Sequence, residues 1–194
     1  MSDKLTAKIL PKEKLRNSSG FFLRLGDTDI YMALEKDGEL YGVFEDDPSK
    51  AYRLYSEALS NTVELYPPRL YENMTEYFIS APHGKKFGAL QITDRTIKLG
   101  VYLSCGNPSN GAIAVFYPGV CEKLYDMFKE DFYILACSNE YVRIIPESSS
   151  YSYKGLKILA SYANMSINEK SREKILTTSL LKYSHECKKV MACD

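Results

Sequence analysis

The alternation of apolar and polar positions predicts several short strands before the first helix. Residues 1–19 are polar and lysine-rich, close to the turn cluster "NSSG", and read as a loosely docked lead-in. Next come "FFLRLGD", "DIYMALEKDG" and "ELYGVFEDD", aromatic and aliphatic runs separated by Gly-Asp or Asp-Gly steps. Such runs bounded by turn formers predict a meander of antiparallel strands. Asp47 then offers a helix N-cap with Pro48 at the first helical position, and Ala51, Leu54, Tyr55, Ala58 and Leu59 recur at helical spacing. Lys50, Arg53 and Glu57 fall on the opposite face, so this helix packs one side on the sheet.

Pro67 and Pro68 break the pattern, and the stretch from "YPPRLYENM" through "SAPHGKKFG" has no clear period. Beyond it, "IKLGVYLSC" and "GAIAVFYP" read as two strands joined by the loop "GNPSN". Pro118 and Gly119 open a helix whose buried stripe is Val120, Leu124, Met127 and Phe128, with Cys121 on its flank. "FYILA" and "YVRII" form a hairpin bent at Cys137-Ser138-Asn139-Glu140. Side chains alternate along a strand, so Phe132, Ile134 and Ala136 face oppositely to Tyr133 and Leu135, and on the return strand Val142 and Ile144 face oppositely to Tyr141, Arg143 and Ile145. Arg143 then marks the more accessible or partnered face. Leu156, Leu159, Ala160 and Ala163 make the stripe of a further helix, followed by a helical turn near "SREKIL" and the strands "SLLKY" and "KKVMAC".

Helices alternating with pairs of adjacent strands predict an α+β fold: a largely antiparallel sheet with helices packed on it in strand-strand-helix units. Residues 20–194 form one domain on this reading, with two halves meeting near residues 67–96.

Lys+Arg and Asp+Glu balance at 25 each, so no net positive field recruits nucleic acid, which is disfavoured as a partner. No apolar run approaches the roughly 20 residues needed to span a bilayer, and the first residues lack a signal-peptide core. Five cysteines at wide spacing, an odd number, suit reduced thiols and a cytoplasmic location. With two histidines far apart and no CxxC pair, neither a metal site nor a cofactor is expected.

The stretch "GAIAVFYPGVCEKLYDMFKEDFYILACSNEYVRIIP" resembles the C-terminal part of an uncharacterised bacterial family of gut Clostridia type, known only as a domain of unknown function. The features that carry the resemblance are the helix start at Tyr117 to Val120, Asp131 ahead of Tyr133 to Leu135, and a strand closing at Pro146. Where that family commonly ends the bend in a His-Glu step, this chain has Glu140 and Tyr141. The resemblance implies a fold and a bacterial origin but no activity.

Two thiols are candidate reactive groups. Cys121 sits in the first turn of a helix, where free backbone N–H groups favour thiolate, although its apolar flank suits a buried structural cysteine better. Cys137 lies with Ser138 and Glu140 in the hairpin bend, but neighbours along a turn point apart and no histidine stands near, so a plain turn is the preferred reading. The loop "PHGKKFG" is a candidate binding loop through His83, Lys85, Lys86 and Phe87, without the Gly-Lys-Ser/Thr step of a P-loop. Tyrosine is the compositional excess, 16 Tyr against no Trp, and most of it falls at packing positions. The expected function is therefore non-enzymatic, through binding of a protein partner or a second copy. A thiol-dependent or hydrolytic enzyme and nucleic-acid binding through the 82–88 loop are the alternatives.

Overall fold

The computed structural model describes residues 4–15, 18–44, 47–80, 83–86, 89–107, 109–136, 138–166 and 175–193, with the backbone alone for Met165 and Ser166. Its first element lies inside the stretch expected to be a loose lead-in. Strand β1, Thr6–Pro11, turns Ala7 and Ile9 inward to full burial while Lys8 reaches Glu35 at 3.1 Å. Two inward side chains in a lysine-rich run are a weak periodic signal, but burying them and pairing the backbone fixes the strand.

β1 pairs antiparallel with β3, Ile30–Lys36, whose other edge carries β2, Leu23–Arg24, and β4, Glu39–Tyr41. Asp37, at φ 54°, and Gly38, at φ 84°, make the two-residue turn between β3 and β4. The expected meander is present, with β2 and β4 short.

Helix α1, Pro48–Leu65, starts as the sequence predicts: the Asp47 carboxylate accepts from the Ser49 N–H at 2.9 Å and Pro48 opens the helix. It buries Ala51, Tyr55, Ala58 and Thr62. The stretch without a clear period holds β5, Pro68–Tyr71, and α2, Met74–Ser80; α3, Asp94–Leu99, follows it. Pro68 opens β5, an edge strand, a place where its missing N–H is tolerated.

β6, Val101–Cys105, matches the second part of the expected strand "IKLGVYLSC", but "IKL" is a correction: it closes α3, because Thr93 and Thr96 cap a helix there that Gly100 ends. "GAIAVF" is a correction: Gly111–Phe116 is a buried 3-10 helix and not a strand. A short continuous apolar run fits either element, and here it is packed between layers. Then come α4, Val120–Phe128, the hairpin of β7, Phe132–Leu135, and β8, Val142–Pro146, then α5, Tyr153–Ser166, and the hairpin of β9, Leu180–Ser184, and β10, Lys189–Cys193. The turn expected near "SREKIL" lies largely outside the described residues.

The larger sheet has the order β10-β9-β7-β8-β6-β5, with every neighbouring pair antiparallel, so the α+β class is as expected. One face, with Val101, Leu103, Phe132, Ile134, Val142, Ile144, Leu181 and Tyr183, joins the smaller sheet, α1, the 3-10 helix and α4 in a single core. That core is continuous across both halves of the chain. On the opposite face, Leu156 and Ala160 of α5 pack on Leu135, Ile145 and Leu180. Hairpin facing therefore follows the alternation read from sequence.

Side chains and loops cover three sheet edges. Asp27 bonds β10 on both sides, through its N–H to Val190 O at 3.0 Å and its carbonyl from Ala192 N–H at 2.9 Å. Lys85 exchanges backbone bonds with Leu70 of β5 at 2.9 and 3.0 Å. Asn110 and Thr62 serve β1. Capping of this kind suppresses edge-to-edge pairing.

Candidate binding groove

Sheet register sets four side chains in a row across the outer face of the larger sheet. Tyr71 pairs with Tyr102, Tyr102 with Arg143, and Arg143 with Leu135, so β5, β6, β8 and β7 each place one residue in line. Side chains at paired positions share a face. The Leu135 end lies under α5 and the Tyr71 end is buried against α2; between them Tyr102 and Arg143 form the floor of a groove.

Aromatic contacts run along this floor and into its wall. Tyr71 meets Tyr77 of α2 edge-on at 5.2 Å, Tyr77 meets Tyr141 at 5.1 Å, and Tyr141 meets Tyr102 at 5.8 Å. The Arg143 guanidinium then lies 5.6 Å from the Tyr102 ring centre and 5.2 Å from that of Tyr151. Tyr71 and Tyr77 are buried, which pushes both phenols up, so they stay neutral. Gly84 makes the burial of Tyr71 achievable: a Cβ there would lie 2.3 Å from two ring carbons.

Arg143 is held by backbone. Its Nε and Nη2 donate to Leu99 O at 3.1 and 2.5 Å, and Nη2 also donates to the Tyr151 hydroxyl at 3.0 Å. Leu99 is the last residue of α3, whose start is fixed by a capping box between Thr93 and Thr96. Gly100 ends α3 at φ 77°, where a Cβ would stand 2.2 Å from Ile144 O. The left-handed glycine thus brings the carboxyl end of α3 against β8, and free carbonyls at a helix end attract a cation. Among the described residues Arg143 has no carboxylate in an ion pair.

The groove encloses about 430 Å³ and is lined by Met74, Tyr102, Leu135, Tyr141, Arg143, Leu159, Tyr162 and Ala163. Among the described residues Arg143 is its sole charged lining residue. A second cavity of about 300 Å³ continues past Met74, Tyr102 and Arg143 to Arg95 and Glu72. Glu72 is paired with Lys85. Apolar surface extends beyond the groove: Phe78, one turn after Met74 on the same helix face, is 71% exposed and Tyr162 is 66% exposed.

The residues singled out from sequence lie elsewhere. Cys121 is buried, its Sγ donates to Val115 O at 3.2 Å, and burial, with a smaller contribution from Glu122, pushes the thiol up to about 12. Burial acts against the helix start at this thiol. Cys137 and Phe87 lie outside the described residues. The rest of the bend is tied into the fold: Ser138 Oγ accepts from the Glu140 N–H at 3.3 Å, and Glu140 O accepts from Ser104 Oγ at 2.7 Å. His83 and Lys86 are exposed, while Lys85 is bonded to Glu72, which raises the ammonium. Among the described residues no group of three His, Cys, Asp or Glu side chains is placed to hold a metal ion, and no helix is long and apolar enough to cross a membrane.

Residues 48–185 match the family of unknown function DUF5688. The chain belongs to that family. Nothing matches it among the curated proteins or the solved structures. The DUF5688 stretch runs from the first residue of α1 to the turn after β9, and so contains every residue lining the groove. β1 to β4 and β10 lie outside it.

Proposed function

We propose that this DUF5688 protein is a non-enzymatic cytoplasmic binding protein that holds a segment of another protein in the groove between α2 and α5. The observation that carries the reading is the row Tyr102, Arg143 and Leu135, which lines the groove between the rims Met74 and Tyr162. Rigid tyrosines around one arginine are the side chains that supply binding energy in interfaces, because they bury large area at low entropic cost. Apolar area carried past the cavity at Phe78 and Tyr162 suits a chain segment longer than a small molecule. The four described cysteines are free thiols, which supports a reducing compartment.

Selection from a displayed random-peptide library tests the reading, run on the wild type and on Phe78→Asp and Tyr162→Asp, whose parent side chains are too exposed to matter for folding. The expected result is a family of peptides enriched on the wild type and lost on both variants. Enrichment of nothing, or of peptides indifferent to both substitutions, overturns the groove as the binding site. Light scattering of the free protein should give a monomer; a dimer dissolved by Tyr162→Asp would assign the groove to a second copy instead.

A further inference from the structure

We infer that the partner segment brings a carboxylate to Arg143, flanked by a bulky apolar side chain that fills the space between Met74, Leu159 and Tyr162. The inference rests on the groove reading and adds the chemistry of what enters it.

Charge complementarity carries the argument. Eight described residues line the 430 Å³ groove, and the only charge among them is the Arg143 guanidinium. Its hydrogen bonds go to a carbonyl and a phenol, and its faces lie near two tyrosine rings, so neutral groups orient it without cancelling its charge. Nη1 makes no hydrogen bond among the described residues. A guanidinium offers five donors in a fixed fork, and Nε and Nη2 alone are committed here. In the adjoining cavity Arg95 adds a second cation, and Glu72, the one carboxylate among its described lining residues, is already paired with Lys85.

The same geometry sets the neighbouring requirement. Leu159, Ala163 and Tyr162 of α5 stand across the groove from Met74, leaving an apolar slot beside the charge. A carboxylate entering such a slot exchanges water for an already oriented donor, and a charge-assisted bond there is stronger than a neutral one. A lone acidic side chain would leave the apolar walls wet, and a lone apolar one would cover Arg143 without pairing it.

Three synthetic heptapeptides decide the matter: one with Phe-Glu-Leu at its centre, one with Phe-Gln-Leu, and one with Ser-Glu-Ser. Binding to the wild type is followed by NMR titration. The Phe-Glu-Leu peptide should bind roughly tenfold tighter than the glutamine peptide, the factor that about one charge-assisted hydrogen bond gives, and shift Tyr102, Arg143 and Tyr162. Its affinity should fall with added salt while that of the glutamine peptide holds. In Arg143→Gln the two affinities should converge, and in Arg143→Lys part of the preference should remain. Equal wild-type affinities for the glutamate and glutamine peptides, both seated in the groove, would overturn the carboxylate and leave the groove standing. Should the Ser-Glu-Ser peptide bind as tightly as Phe-Glu-Leu, the apolar half of the inference fails. Shifts confined to other surfaces would overturn both readings.

Discussion

Asn110 bonds to Ile9 as a neighbouring strand would. Its Oδ1 accepts from the Ile9 N–H at 3.1 Å, and its Nδ2 donates to Ala7 O at 2.8 Å. One buried side chain thereby covers part of the free edge of β1 from more than a hundred residues away, beside Thr62, which accepts from the Ala7 N–H. Asn110→Leu leaves both backbone groups buried and unpaired, and should cost about 3 kcal/mol, from roughly 1–3 kcal/mol for each orphaned group. Urea unfolding measures the loss. A change within about 0.5 kcal/mol, the usual range for surface positions, would mean the β1 edge is satisfied another way.

Thiol labelling reads the packing of α4. Cys187 is exposed, whereas Cys105 and Cys121 are buried, with Cys121 pushed up to about 12. Iodoacetamide near neutral pH should modify Cys187 first and reach Cys121 and Cys105 only in denaturant, since the reacting species is the accessible thiolate. Native-state labelling of Cys121 as fast as Cys187 would revive it as a nucleophile.

Alkaline pH should destabilise the fold. Burial pushes Cys121, Tyr55 and Tyr183 each up to about 12, from ordinary values of 9.0 for the thiol and 10.0 for the phenols. An acid whose folded pKa is raised contributes stability that is whole below its unfolded pKa and is lost as pH climbs toward the folded one. Urea midpoints should therefore be flat on these groups' account up to about pH 9 and fall steadily above it. A midpoint unchanged at about pH 10.5 would contradict the burial of these three groups.

The hairpin separates a core position from a turn position. Ile144 is fully buried and pairs with Val101 and Ile134, so Ile144→Asp forces an unpaired carboxylate into the core at a cost of several kcal/mol and should unfold the protein. Ser138→Ala loses one bond of 3.3 Å and should cost about 1 kcal/mol or less, leaving any binding intact. Circular dichroism and chemical denaturation compare the two. A folded Ser138→Ala protein that no longer binds would make the bend a functional element.

Elements with a strong local signal were legible from the chain alone. The Asp47-Pro48 start of α1, the Pro118-Gly119 lead into α4, and the alternation of "FYILA" and "YVRII" each encode backbone geometry within a few neighbouring residues. So does the facing of Arg143, which strand alternation set opposite Ile144. The excess of tyrosine was visible in the composition, although nothing local set Tyr102 beside Arg143.

What decided the remainder was long-range pairing. β1 and β5 are short or interrupted by proline and become strands because β3 and β6 supply their partners. "GAIAVF" is helical because it is enclosed between layers, a context its apolar run does not specify. Above all, the row of Tyr71, Tyr102, Arg143 and Leu135 exists only in the order β5-β6-β8-β7. Local sequence fixes which face of its own strand a side chain takes; which strands lie beside it depends on the whole chain burying its apolar faces at once, and that determines which side chains share a groove.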